Sequence, residues 1–161
     1  MAIPDAASVA YRAASEADFD ALARLWLESW QSTGLAVTRF ATEEGNRKRI
    51  SLEMRNGWKV TLALAGQRIV GFLASKPAVS VLDQLFIAPD MKRKGIGKAL
   101  LERAKAEMPD GFTLHTAIEN FDACAFYERC GLERVRTEIH PTLGHAVAIY
   151  RSRVVGAGCG K

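Results

Sequence analysis

Cysteine is scarce in this chain. Cys124, Cys130 and Cys159 are odd in number and are nowhere spaced C-x-x-C. A disulfide framework and a zinc ribbon are thereby excluded, and reduced thiols in a cytoplasmic setting are expected. No apolar run approaches the roughly 20 residues needed to cross a bilayer, so no membrane partner is expected. Met1-Ala2-Ile3-Pro4-Asp5 has no basic region followed by an apolar stretch, unlike a signal peptide. A large excess of charge of one sign is also missing. The net charge of +4 suits an anionic ligand, but it is too mild for a nucleic-acid partner. Internal repeats and linkers are absent, so the 161 residues read as one domain.

What is present is ordinary globular material, 48% apolar and 25% charged, enough for a substantial core. Ser8 to Ala13 reads as a strand. Ser15-Glu16-Ala17-Asp18 resembles a capping box, and Leu22, Leu25, Trp26 and Ser29 behind it fall on one helical face. Thr42-Glu43-Glu44 opens a second helix that ends near Asn56-Gly57. Trp58 to Ala65 and Arg68 to Ser75 form a hairpin around Gly66-Gln67, and Val79 to Ile87 is a further strand. Ile96, Leu100, Ala104 and Met108 are the inner stripe of a third helix. After a turn at Pro109-Asp110-Gly111 come a strand (Phe112 to Ile118), a short helix (Asp122 to Cys130) and two strands, around Leu132 to His140 and Gly144 to Arg153. The expected fold is therefore a single α/β domain over residues 1–153, with a mixed, largely antiparallel central sheet and helices on both faces. Residues 154–161 are small and Gly-rich, and are expected to be a disordered tail.

The most informative stretch runs from Leu85 to Leu101, a strand, a basic glycine loop and a helix. Lys92, Arg93 and Lys94 precede Gly95 and Gly97, which let a ligand approach the backbone at a helix start, where the dipole favours negative charge. It is a seat for a pyrophosphate. A P-loop is excluded, because Gly97-Lys98 is followed by Ala99 and lacks the earlier glycine. A dinucleotide fingerprint is excluded, because Leu100 stands where a Gly or Ala is required.

Lys92-Arg93-Lys94-Gly95-Ile96-Gly97 resembles the Q/R-x-x-G-x-G/A motif of the GNAT superfamily of N-acetyltransferases. Lys92 keeps a charge at the first position but lacks a planar fork. Asn120 to Leu132 resembles that family's second motif, N-x-x-A-x-x-F-Y-E-x-x-G-F, through Asn120, Ala123, Phe126, Tyr127, Glu128 and Gly131, with Leu132 in place of the last Phe. The resemblance implies acetyl-CoA as co-substrate and a sheet splayed between its fourth and fifth strands, the gap receiving the pantetheine arm. Pyrophosphate contacts would come from Arg93 to Lys98, with Lys92 leading in. Leu85, Phe86 and Ile87 would pair with the pantetheine, while Asn120, Ala123 and Phe126 would flank the cofactor. Asn120 also suits a local turn cap.

Moving an acetyl group from a thioester to a primary amine makes three demands: the ammonium must lose a proton, the oxyanion needs a donor, and the departing thiolate needs a hydrogen bond or proton. Tyr127, at the family's Tyr position, fits the last. Backbone N–H groups of Leu85, Phe86 and Ile87, freed by a bulge or splay, fit the second. For the first, Asp83 stands in an otherwise apolar strand, on the same face as Leu85 by alternation. His115 on the neighbouring strand is the rival, and the two could form one relay. His140 and His145 lie near a loop, and no metal is expected there. Trp26 or Trp30 would line the acceptor pocket while the other fills core, with residues 33–39 and the last hairpin completing it. Acceptors in view are small-molecule amines and peptide N-termini. The resemblance also raises a homodimer, by analogy. The alternative is a non-catalytic acyl-CoA sensor of the same shape, and a basic nucleic-acid module would need a basic stripe with exposed stacking aromatics, where the chain shows only one local cluster.

Overall fold

The computed structural model describes residues 8–154. The readings made above for the first seven residues, for the tail from 155 on and for Cys159 lie outside them. The elements are β1 (Val9–Ala13), α1 (Phe19–Gln31), α2 (Glu43–Arg55), β2 (Lys59–Ala65), β3 (Arg68–Lys76), β4 (Val81–Ile87), α3 (Ile96–Glu107), β5 (Thr113–Ala117), α4 (Phe121–Arg129), β6 (Glu133–Ile139) and β7 (Ala146–Arg151). Their order is the one expected from hydrophobic periodicity. The local signals work as read: the backbone N–H of Ser15 donates to Asp18 at 2.8 Å, and Thr42 caps α2 by accepting from the Gly45 N–H. One boundary differs. Pro77–Val79 form a 3-10 turn and Ser80 takes a left-handed φ of 54°, so β4 starts at Val81 and not Val79. Proline supplies no N–H for a strand ladder.

The seven strands lie in the order β1-β2-β3-β4-β5-β7-β6. Every neighbouring pair is antiparallel except β4 and β5, which run parallel and pair only at Val81 and Thr113. Strand alternation puts helices on both faces. Phe72 packs against Trp26 of α1, with ring centroids 6.1 Å apart. Its neighbour Gly71 points the other way, where an added Cβ would meet Ile87 and Ile96 of α3. All four residues of the α1 stripe and all four of the α3 stripe are buried. The fold is thus the expected single mixed α/β domain, open between its fourth and fifth strands.

Candidate functional site

The parallel pair diverges beyond Val81, so the β5-facing edge of β4 has no strand partner along Asp83 to Ile87. The gap is a cleft of about 70 Å³, walled by Asp83, Gln84, Leu85 and Phe86 on one side and His115 and Thr116 on the other. Asn120, Ala123 and Tyr127 of the α4 segment close its end. The structure thus brings together most residues singled out on β4, β5 and α4. The expected bulge sits elsewhere. Leu85, Phe86 and Ile87 keep regular register with Leu73, Phe72 and Gly71, and the splay alone leaves their other edge open. The register shift lies between Ala74 and Ser75, which pair with Gln84 and Leu82 and make Asp83 the extra residue.

That bulge corrects the expected orientation of Asp83. Alternation alone would put Asp83 and Leu85 on one face, but a bulge resets the alternation. The Asp83 carboxylate accepts a 2.7 Å hydrogen bond from the Trp58 indole N–H. Trp58 belongs to the aromatic cluster on the α1 side, 6.0 Å from Trp26. Leu85 follows Ile87 to the α3 side. The partner of Asp83 is therefore a neutral indole.

His115 stands across the cleft. Desolvation pushes its pKa below the ordinary imidazole range, the charge of Asp83 opposes the drop, and Arg49 and His145 add to it. Its ring lies 5.5 Å from His140, which stacks on His145 at 5.2 Å. His140 Nδ1 accepts backbone N–H bonds from Thr142 and Leu143, so the proton of the neutral ring sits on Nε2. Among the described residues no group of three or more His, Cys, Asp or Glu is arranged to hold a metal.

Tyr127 is 7% exposed. Burial drives its phenol well above the usual range, with Cys124 and Cys130 adding to the rise. Its ring packs on Phe126 and Tyr150. Asn120 is the N-cap of α4, its Oδ1 accepting from the Ala123 N–H at 3.3 Å, so the ordinary capping role is filled and Nδ2 is left as a donor. Of the two tryptophans, Trp26 is 2% exposed and fills core, whereas Trp30 is half-buried at the core's margin.

The basic loop meets the first turn of α3. Arg93 and Gly95 both have left-handed backbones, with φ of 62° and 82°. Such reversals turn successive N–H groups toward one point, an anion-binding concavity. Lys92, Arg93 and Lys98 are exposed and make no ion pair among the described residues. The nearby acid, Asp90, is gripped at both oxygens by Arg68 at 2.8 and 2.7 Å, which leaves the loop's positive field intact. Gly97 has a second reason to lack a side chain: its Cβ would stand 3.3 Å from the Phe126 ring. Ile96 is buried beneath the loop, and Lys94 is half-buried.

Three residues at the site escape a reading by sequence alone. Trp58 holds Asp83 across 25 positions. The buried hydroxyl of Ser29 donates to the Ile87 carbonyl at 3.0 Å, fixing the strand end that feeds the loop; a serine on an apolar helical face was its signal. Arg49 stacks over Trp26 at 5.3 Å, and nothing in the pattern of α2 marks it.

Known proteins share this architecture. The sequence profile described as the acetyltransferase (GNAT) family matches residues 19–132. A probable N-acetyltransferase of Mycobacterium tuberculosis is 29% identical over 138 residues, covering 76% of this chain and 78% of that protein. An acetyltransferase of Thermus thermophilus superposes with a TM-score of 0.75 at 21% identity, over 92% of this chain and 99% of its own. The PaiA N-acetyltransferase of Thermoplasma acidophilum, solved in complex with coenzyme A, gives 0.69 at 23% identity, over 88% and 98%. With more than half of its length matched by the family profile, the chain belongs to the GNAT family of acetyltransferases and is an acyltransferase by descent.

Proposed function

We propose that the protein transfers an acetyl group from acetyl-CoA to a primary amine, by direct attack through a tetrahedral intermediate. The observation that carries this reading is the splay of β4 from β5 beside the left-handed turns of Arg93 and Gly95. It supplies an unpaired strand edge for an amide-bearing arm and, at its end, an anion cradle for a diphosphate. In this reading the N–H groups of residues 93–98 hold the diphosphate and Arg93 adds a charge-assisted contact. Lys92 acts as a point charge. Leu85 to Ile87 pair with the pantetheine, and Asn120, Ala123 and Phe126 bound it from α4.

The chemistry follows from the cleft walls. The amine arrives as an ammonium and has no lone pair until it is deprotonated. Asp83 and His115 are the groups placed to take that proton, directly or through water. Desolvation lowers the His115 pKa and so favours the neutral ring, whose unprotonated nitrogen can accept a proton. The amine nitrogen then bonds to the thioester carbonyl carbon, whose oxygen takes the π pair as an oxyanion. A backbone N–H on the open edge of β4 stabilises that charge without reorganisation. Collapse breaks the C–S bond, and the sulfur leaves with its electron pair under the Tyr127 hydroxyl. The raised phenol pKa makes Tyr127 a hydrogen-bond donor that keeps its own proton; the second proton of the attacking nitrogen, shed as the amide forms, passes through water to the departing thiolate.

Incubation of the protein with acetyl-CoA and a panel of primary amines, read by free-thiol release and by the mass of the acetylated amine, tests the proposal. Thiol release that requires an amine supports it. Tight CoA binding with no amine-dependent release refutes it in favour of an acyl-CoA sensor.

A further inference from the structure

Arg49 is a cation close enough to the cleft for its charge to reach His115, and among the described residues it has no acid beside it. Its neighbours on α2 are paired, Arg47 with Asp20 and Lys48 with Glu44. Arg49 has no ion pair among the described residues and instead lies with its guanidinium 5.3 Å above the Trp26 ring. Stacking on an aromatic face fixes a guanidinium while leaving its N–H edge free to meet a planar anion. Three acids that could pair with it have other partners: Glu53, one turn along α2, pairs with Lys76, Glu138 with Arg136, and Asp83 accepts from the Trp58 indole.

The placement of Arg49 ties it to the cleft. Trp26 leans on Trp58, whose N–H holds Asp83 on the cleft wall. On the other side the charge of Arg49 is felt at His115 and His140, lowering the pKa of both. A negative charge thus stands at the wall of the cleft, and a positive charge stands beyond the tryptophan pair on the same face of the sheet. An ammonium matches the first. An acid on the same molecule matches the second. We infer that Arg49 binds a carboxylate of the acceptor, so that the acceptor is a primary amine that also carries an acid. This deepens the amine-acetylating reading above and rests on it.

The test compares unbranched ω-amino carboxylates of increasing chain length with their primary amides, in the CoA-loaded protein for binding and with acetyl-CoA for turnover. A charge-assisted contact predicts a preference of at least about tenfold for the best acid over its amide, read in KM with little change in kcat. Arg49→Met keeps the aliphatic cover over Trp26 and removes the charge, so the preference collapses to within about twofold; Arg49→Lys restores part of it. A merely structural cover would lower the melting temperature and leave the preference unmoved, and that result overturns the inference. Equal calorimetric affinity of acid and amide for the CoA-loaded wild type also overturns it. Calorimetry reads the contact even where no amine is acetylated, an outcome that would refute the transferase reading separately.

Discussion

Tyr127→Phe is the sharpest test of the chemistry proposed for the cleft. The substitution keeps the ring, with its contacts to Phe126 at 5.3 Å and Tyr150 at 5.7 Å, and deletes one oxygen. Burial holds the phenol far above its ordinary pKa, so the hydroxyl is an O–H donor at every working pH. What disappears is one hydrogen bond to charge that grows on sulfur as the C–S bond breaks. A hydrogen bond to a charged partner is worth about 1.5–3 kcal/mol, and each 1.36 kcal/mol is tenfold in rate, so kcat should fall about 10- to 150-fold. Because the bond strengthens only in the transition state, kcat/KM should fall by the same factor. Steady-state thiol release gives both constants, and calorimetry of CoA should give a Kd within about twofold of wild type. An acetyl thioester with a more acidic thiol needs less help in leaving, so the gap between variant and wild type should narrow with it. Full kcat in the variant, or a loss confined to CoA affinity, would refute the role given to this residue.

The other predictions concern the loop, the base and acid stability. Gly95→Val forces a β-branched residue into a left-handed φ of 82°, which costs more than about 1–2 kcal/mol. Gly97→Val drives a methyl group toward the Phe126 ring, 3.3 Å from the new Cβ. Both should lower the melting temperature and weaken CoA binding at least about tenfold in calorimetry; unchanged affinity would remove the diphosphate from this turn. With His115 as base, kcat/KM should rise with pH through an apparent pKa below 6.5, as its lowered value requires, and His115→Gln should abolish that limb; a limb that survives the substitution removes the base role from His115. Asp18 is held well below the usual carboxylate range, first by the hydrogen bonds from Arg12 and further by the Ser15 N–H, against the opposing effect of burial. A depressed folded-state pKa means stability that is present above the unfolded value of about 3.9 and lost as pH falls through the folded one. Asp18→Asn should therefore melt earlier than wild type at neutral pH, with the difference closing in acid.

Much of the fold was legible because its signals are local. Thr42 before two acids announces α2, Pro109-Asp110-Gly111 announces a turn, and residues 96, 100, 104 and 108 announce the inner face of α3. Arg93 to Gly97 could be read as an anion cradle because cations, glycines and a helix start are adjacent in the chain. The features that stayed hidden depend on partners distant in sequence. The extra residue at Asp83 arises from how β4 registers against Ala74 and Ser75 of β3, and no run of side chains encodes that shift. The grip of Trp58 on Asp83, the crowding of Gly97 by Phe126 and the ring contact between His115 and His140 each join elements that meet only once the sheet has formed. Trp26 and Trp30 lie on the same helix with equal claims to the pocket by type, and only the packing of Trp26 on Phe72, Phe86 and Trp58 separates them.

A sheet stitched at one rung, Val81 to Thr113, is mechanically two leaves with a short spine. The first leaf holds β1 to β4 and the second holds β5, β7 and β6. Far from the spine, the leaves touch where Phe126 fills the hollow above Gly97. Amide deuteration should then divide the molecule along this seam. The free edge from Asp83 to Ile87 should label early in the unliganded protein and become slow when a ligand lies along it, because the pantetheine arm would complete the ladder as a missing strand.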